Sequence, residues 1–221
     1  MILLASKSSG RLATLRAAGV EPLVRVSSVD EESVLGELIR GRRDAGLPAP
    51  SAAEQVQALA RAKALDVMTS TDPQEAEVVV GCDSMLEIAG QVVGKPADVA
   101  QARERWRMMS GGTGTLHTGH FLVRTADGTT AEGVSSATIR FGSPSPAEVE
   151  AYIASGEPLW CAGAFTIDGL GGAFIEGIDG DPHGVVGISL PLLRRLLAAL
   201  GVVWTDLWAP PPATKPVDDA H

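Results

Sequence analysis

The sequence predicts an α/β fold in which a mixed, twisted sheet is flanked by helices around a cleft between two lobes. Three observations carry that prediction. Near the start, the apolar residues 2–5 pass through a Ser/Gly loop into "RLATLRAAG", where Leu12, Leu15 and Ala18 recur at helical spacing. In the middle, residues 116–124 and 132–141 alternate in polarity on either side of Asp127-Gly128, the pattern of an antiparallel pair. Capped helical patterns and short apolar runs interleave along the rest of the chain, so the sheet is not purely parallel.

Each element has a local cause. Ser8 or Ser9 caps the first helix and Gly19 ends it. Residues 32–50 are polar and broken by Gly and Pro, and read as a loop with at most a short helix. Ser51 and Glu54 have capping-box spacing and open a helix running to about Met68. Its stripe of Val56, Ala60 and Val67 also carries Lys63. Residues 78–80 read as a buried strand that gives out at Gly81, leaving Asp83 at a strand end. A second run, residues 85–88, leads through a turn at 89–91 into Val92 and Val93. Asp98 caps a helix with Val99, Ala102, Trp106 and Met109 on one side. Ser145, Pro146 and Glu148 begin another, which Gly156 and Pro158 stop. Residues 164–167 and 173–178 read as short strands around a Gly-rich turn. Ser189 and Pro191 start the last helix, with Leu192, Leu193, Leu196 and Leu197 facing inward. Residues 1–208 read as one domain and 209–221 as a Pro-rich flexible tail.

Composition narrows the function. At 221 residues and 45% hydrophobic, the chain buries one sizeable core or two lobes sharing a sheet. A net charge of −9 without a Lys/Arg stripe argues against DNA or RNA as a partner. A single nucleotide needs only a few well-aimed cations and remains open. Cys82 and Cys161 lie far apart with no CxxC spacing, which points to a reducing cytoplasm. No basic leader opens the chain, and no apolar run approaches the roughly 18 residues that span a bilayer.

Several residues could carry chemistry. The loop "SKSSGR" puts backbone N–H groups at a helix N-terminus, where an anion is favoured, and Arg11 can add a bidentate phosphate contact. The same loop is also what an ordinary Ser-capped surface helix looks like. Lys63, on an apolar face, either snorkels to solvent or needs an anion. Lys95, before Pro96, is held extended. Asp83 reads as a metal ligand, a general base, or both. Asp30, Glu31 and Glu32 form an acidic cluster that could share a divalent cation, with Glu32 read as solvated. His117, His120 and His183 lack metal-ligand spacing and read as structural or peripheral. The glycines of "AGAFTIDGLGGAFIEGIDGDPHGVVG" either allow close approach to a ligand or serve turns.

The order of these segments is more specific than any one of them. "LASKSSGRLATL", "VDEE", "LARAKA", "VVGCDS", "VVGKP", "YIASGEP", "AGAFTIDGLGGAFI" and "GDPHGVVGISLPLL" follow one another from Leu3 to about Gly201. The series resembles the Maf (septum formation inhibitor) family. The resemblance implies an α/β/α fold related to the inosine triphosphatases and a nucleoside triphosphate pyrophosphatase releasing monophosphate and pyrophosphate. It further implies Mg²⁺ or Mn²⁺ as cofactor and a house-cleaning role, and on family grounds alone it is compatible with a homodimer. By the same resemblance Asp83 matches the proton acceptor, and Ser6, Arg11, Lys63 and Lys95 match phosphate-binding and charge-stabilising positions. Glu31 matches an acidic residue for metal help beside Asp83.

Three positions depart from the family branch that selects dTTP and UTP: Gly10 for Arg, Ser84 for Thr and Asp168 for Gln. Asp168 only loosely echoes the Glu of the 7-methyl-GTP branch, so the base stays open. Gly114 replaces a usual His, and residues 41–50 look like an insertion at the cleft rim. Two other readings remain at this level. One is a nucleotide-binding regulator of septum formation with incidental turnover; the other is a phosphatase taking only the terminal phosphate.

Overall fold

Residues 1–209 are described by the structure, a computed structural model. Past Ala209 the expected tail lies outside the described residues. The first apolar run forms β1 (Ile2–Leu4), buried throughout. Ser8 caps α1 (Ser9–Ala17), its hydroxyl accepting from the Arg11 N–H. β2 (Leu23–Val24) and β3 (Val78–Ile88) flank β1 in parallel. β4 (Gln91–Val93) and β5 (Thr113–Arg124) pair antiparallel with β3, followed by β6 (Thr130–Phe141) and β7 (Ile175–Asp179). The resulting seven-stranded sheet is mixed, in the order β2-β1-β3-β5-β6-β7 with β4 beside β3.

The strand read as ending at Gly81 does not end there. β3 continues to Ile88, paired with β5 from Val78 to Glu87, so Asp83 sits mid-strand opposite Gly119. Its accessibility has another cause. β1 pairs with β3 as far as Val80 and the pairing with β4 begins only at Leu86, so this edge of β3 faces no strand at residues 81–85. Gly81 is there for packing rather than as a break. A Cβ on it would lie 2.2 Å from the Ala60 carbonyl oxygen, and one on Gly119 would lie 2.4 Å from that of Val56. Both carbonyls belong to α3 (Ala52–Met68), whose capping box at Ser51 and Glu54 is formed as expected. The helix lies against the β3–β5 backbone and buries Val56, Leu59, Ala60 and Ala64 there. Leu59 alone contributes roughly 1.5–3 kcal/mol by leaving water.

A second correction concerns residues 32–50. They hold α2 (Glu31–Asp44), capped by Asp30, which accepts from the Glu32 and Ser33 N–H groups. The helix has no fully buried residue, yet Val34, Leu35, Leu38 and Ile39 recur at helical spacing, and Val34 and Leu35 pack beside Val56, Leu59 and Met85. The glycines and charged residues around that stripe hid it from a sequence reading. In the last turn of α2, Arg42 ties to the Pro48 carbonyl and to Glu54.

The opposite face of the sheet holds two cores. One gathers Ile2, Leu4, Val78, Val80 and Leu122 under Leu193, Leu196 and Leu197 of α7 (Leu190–Ala199). The other gathers Leu86, Ile88, Leu116 and Ile139 under α4 (Val99–Met109) and α5 (Pro146–Ala154), with Trp106 at its centre. Val99 stays exposed, contrary to the stripe assigned to it, and Leu192 is only partly buried. Gly114 packs into this second core, where a Cβ would come within 3.0 Å of Leu86. The histidine usual at that position would not fit without displacing Leu86.

Of the two short strands expected around the Gly-rich turn, only β7 forms. Residues 162–164 make a 3-10 turn, and Gly163 (φ 74°) and Ala164 (φ 64°) take left-handed backbone that a strand cannot hold. A further 3-10 turn, Leu170–Phe174, leads into β7.

Between the two cores runs a buried polar seam of Ser84, Thr118 and His120, closed by Arg11. His120 Nδ1 donates to the Thr118 carbonyl, and its Nε2 accepts the Ser189 N–H at 2.9 Å. Burial pushes the imidazole down to about 4, keeping it neutral. The unfolded chain takes up this proton near 6.5, the folded chain only near 4. Stability should therefore hold above pH 6.5 and fall as pH drops toward 4, by an amount on the order of 3 kcal/mol from this group. Thermal melts from pH 7.5 to 4 check this, because His120→Gln should melt lower at pH 7.5 yet lose less on acidification.

Candidate active site

The gap in the β3 edge opens into a cleft of about 990 Å³ lined by Ser6, Lys7, Arg11, Glu31, Lys63, Asp83, Ser84, Lys95 and Asp168, among others. Each side chain reaches it for a local reason. Side chains alternate along β3, so Asp83 faces α3 while Ser84 faces the polar seam. The close α3 contact at Gly81 brings Lys63 over Asp83, with Nζ 2.6 Å from Oδ1. The same ammonium meets Glu31 Oε1 at 2.7 Å, Glu31 being the first residue of α2. Arg11 is buried and held from three directions. Nε donates to the Gly187 carbonyl (2.7 Å), Nη1 to Ser6 Oγ (3.0 Å) and Nη2 to Ser84 Oγ (3.0 Å). Gly187 is at φ 123°, and a Cβ there would press to 3.1 Å from Arg11 Nε. Ser84 Oγ in turn meets Thr118 Oγ1 at 2.8 Å, and Thr118 donates to the Gly184 carbonyl of α6 (Pro182–Val186).

The electrostatics follow from this crowding. Burial raises the Asp83 carboxyl above its ordinary value against the opposing pull of Lys63 and Arg11. At Glu31 burial also pushes upward, but the Lys63 hydrogen bond and the charges of Lys63, Lys95 and Lys7 outweigh it and hold the carboxyl low. Burial, with Arg11 and Lys7 nearby, lowers Lys95. Among the described residues neither Lys7 nor Lys95 has an acidic partner within ion-pair distance, and Arg11 is held by neutral oxygens alone. Other acids at the cleft are engaged elsewhere. Glu157 accepts from the Tyr152 hydroxyl and from the Leu170 and Gly171 N–H groups, and Asp168 accepts from Thr166. A chain of net charge −9 thus keeps under-neutralised cations facing one cleft. That arrangement suits a polyanion.

Residues 1–200 match the family model described as Maf-like protein. The chain belongs to the Maf family. It is 49% identical over 212 residues to a nucleoside triphosphate pyrophosphatase of Mycobacterium sp. (strain JLS), covering 94% of this chain and 97% of that one. A protein of the same name from Streptomyces coelicolor is 50% identical over 209 residues, with 95% of each chain covered. Another, from Rhodococcus jostii, is 52% identical over 212 residues, covering 93% and 95%.

In this Maf chain Ser6, Gly10, Arg11, Glu31, Lys63, Asp83, Ser84, Lys95 and Asp168 all line the cleft, and six of them form two groups. Asp83, Lys63 and Glu31 form one hydrogen-bonded knot, and Ser6, Arg11 and Ser84 form a second. Lys95 stands apart, its ammonium without an acidic partner among the described residues. Gly10 and Asp168 face each other: a Cβ on Gly10 would lie 3.5 Å from Asp168 Oδ2 and 3.1 Å from Val186. Any larger side chain at position 10 would enter that gap. Asp30 points its carboxylate at its own helix rather than at the knot. None of residues 41–50 lines the cleft. Sequence reading passed over Lys7, although it lies inside the quoted loop, and Thr118, whose only signal is a polar residue in an apolar strand.

A divalent cation fits this donor set. Two carboxylates converge on one point, now held by Lys63, and no cluster of three or more ligand side chains occurs among the described residues. Magnesium bound through one or two carboxylates plus substrate phosphates needs no more. Among the described residues no helix is long and apolar enough to cross a membrane.

Proposed function

We propose that this Maf chain is a nucleoside triphosphate pyrophosphatase that hydrolyses the α–β phosphoanhydride of a nucleoside triphosphate to monophosphate and pyrophosphate. The observation that carries the reading is the cleft in which Lys7, Arg11, Lys63 and Lys95 surround a buried carboxylate, Asp83. Full-length relatives bearing that activity as their name support it.

Ser6, Arg11 and the free N–H groups at the α1 N-terminus bind phosphate oxygens, with Arg11 already oriented by its three contacts. Lys95 meets charge on the pyrophosphate as it departs. Asp83 accepts the proton of a water that attacks the α-phosphorus, and the bond from that phosphorus to the α–β bridging oxygen breaks. A carboxylate raised by burial is the stronger base for that proton. Asp83 and Glu31 would hold Mg²⁺ or Mn²⁺, which supplies charge neutralisation and a more acidic water when bound. Lys63 holds the two carboxylates in place. The Gly10–Asp168 gap is where we place discrimination among bases, including modified ones.

A panel of standard, 7-methylguanine and hypoxanthine triphosphates with Mg²⁺ or Mn²⁺, resolved by ion exchange, tests the reading. Monophosphate plus pyrophosphate is expected. Release of orthophosphate and a diphosphate, or binding without turnover, contradicts it. The pH profile gives a second check. Asp83 must be ionised and is raised, so the acid limb of kcat/KM should lie above 3.8. Lys95 must be protonated and is lowered, so the alkaline limb should lie below 10.5.

A further inference from the structure

Lys95 emerges from a strap, residues 94–97, between β4 and α4. Its ammonium has no partner among the described residues that could aim it, so its position depends on the strap. The strap is pinned by one buried side chain. Arg105, on α4 and 7% exposed, donates from Nη1 to the Gly94 carbonyl at 2.5 Å and from Nη2 to the Lys95 carbonyl at 3.2 Å. Nη2 also donates to Gln101 Oε1 at 2.7 Å, and that oxygen accepts the Ala97 N–H at 2.9 Å. The backbone is therefore held before, at and after Lys95. The Gly94 carbonyl accepts a second bond, from the Gly163 N–H at 2.9 Å, which joins the strap to the turn carrying Cys161 and Ala162 of the facing cleft wall.

Among the described residues Arg105 has no carboxylate partner; all its recorded acceptors are carbonyl oxygens. A buried guanidinium without a counter-ion costs stability, and burial lowers its pKa. An apolar chain of similar length would occupy the same volume without that cost. What a leucine or methionine would not supply is a planar fork reaching two successive carbonyls. We propose that Arg105 is a positioning residue for Lys95, holding the strap so that the ammonium stands at the phosphate end of the cleft. The proposal rests on the role assigned to Lys95 above.

A double-mutant cycle separates positioning from plain stability. Arg105→Met, Lys95→Met and the double variant are assayed for kcat/KM with a nucleoside triphosphate, each well below its own Tm. Arg105→Met should lower kcat/KM roughly 10–100-fold, the range for residues that orient a functional group. In the Lys95→Met background the same change should cost less than about threefold. Arg105→Lys keeps the charge but not the fork; it should lose activity and move the alkaline limb of the pH profile, which a merely structural residue would leave in place. Should Arg105→Met fail to fold, Gln101→Leu removes one anchor from the helix surface and is run through the same cycle. Equal losses in both backgrounds, or full activity in folded Arg105→Met, overturns the proposal. Full activity in Lys95→Met overturns both it and the role of Lys95, and so is told apart from a failure of positioning alone.

Discussion

Asp83→Asn should lower kcat by roughly 10²–10⁴-fold, the range expected for loss of a general base, while Tm moves by only a few degrees. The separation of the two effects follows from the knot. Asn keeps the size of Asp83 and an oxygen for Lys63, and Lys63 retains Glu31 at 2.7 Å, so no buried charge is stranded. Burial already disfavours the charged form of Asp83, which limits the stability its charge supplies. The substitution therefore removes proton acceptance and metal affinity with little else. Steady-state kinetics beside thermal melts check it. A variant with ordinary turnover would remove Asp83 from the chemistry, and one that fails to fold would make it a structural residue.

Gly119→Ala should be among the most damaging single changes in the chain. Its Cβ would sit 2.4 Å from the Val56 oxygen, 2.6 Å from the Val56 carbonyl carbon and 2.8 Å from the Gln57 nitrogen. All three are helix backbone, which no rotamer change can move. Overpacking costs typically 1–3 kcal/mol, and a clash with backbone belongs at or above the top of that range. α3 would have to lift from the sheet, carrying Lys63 away from Asp83, so activity should fall about 10²-fold even in folded protein. Gly41→Ala is the contrast. Gly41 lies inside α2 with nothing within 4 Å of a Cβ, so the change should stabilise by about 0.5–1 kcal/mol. Chemical denaturation of both variants tests the pair; similar stabilities would refute the close-contact account of α3.

Elements with a local cause were legible in the sequence. Ser51 with Glu54 and Ser145 with Glu148 form the capping boxes their spacing predicts, and Asp98 and Ser189 cap where expected. The order of motifs was enough to identify the family and to select residues that do meet in one cleft. Features caused by contacts distant in sequence were not legible. Gly81 looks like a strand break because, read locally, a glycine ends an apolar run; its reason is a helix backbone passing close by. α2 carries only a short stripe, Val34, Leu35, Leu38 and Ile39, which Gly36, Gly41 and the surrounding charges masked. Gly163 and Ala164 turn back where apolar residues suggested a strand. Arg105 carries no signal in the helix pattern of Val99, Ala102, Trp106 and Met109, and only the fold shows its guanidinium turned inward onto the strap.

In the proposed mechanism a water activated by Asp83 attacks the α-phosphorus. Hydrolysis of a preferred triphosphate in ¹⁸O-labelled water, followed by mass spectrometry of both products, tests it most directly. One labelled oxygen in the monophosphate and none in the pyrophosphate is the predicted result. Label in pyrophosphate would place the attack at the β-phosphorus, and label in orthophosphate would mean terminal hydrolysis; either contradicts the account.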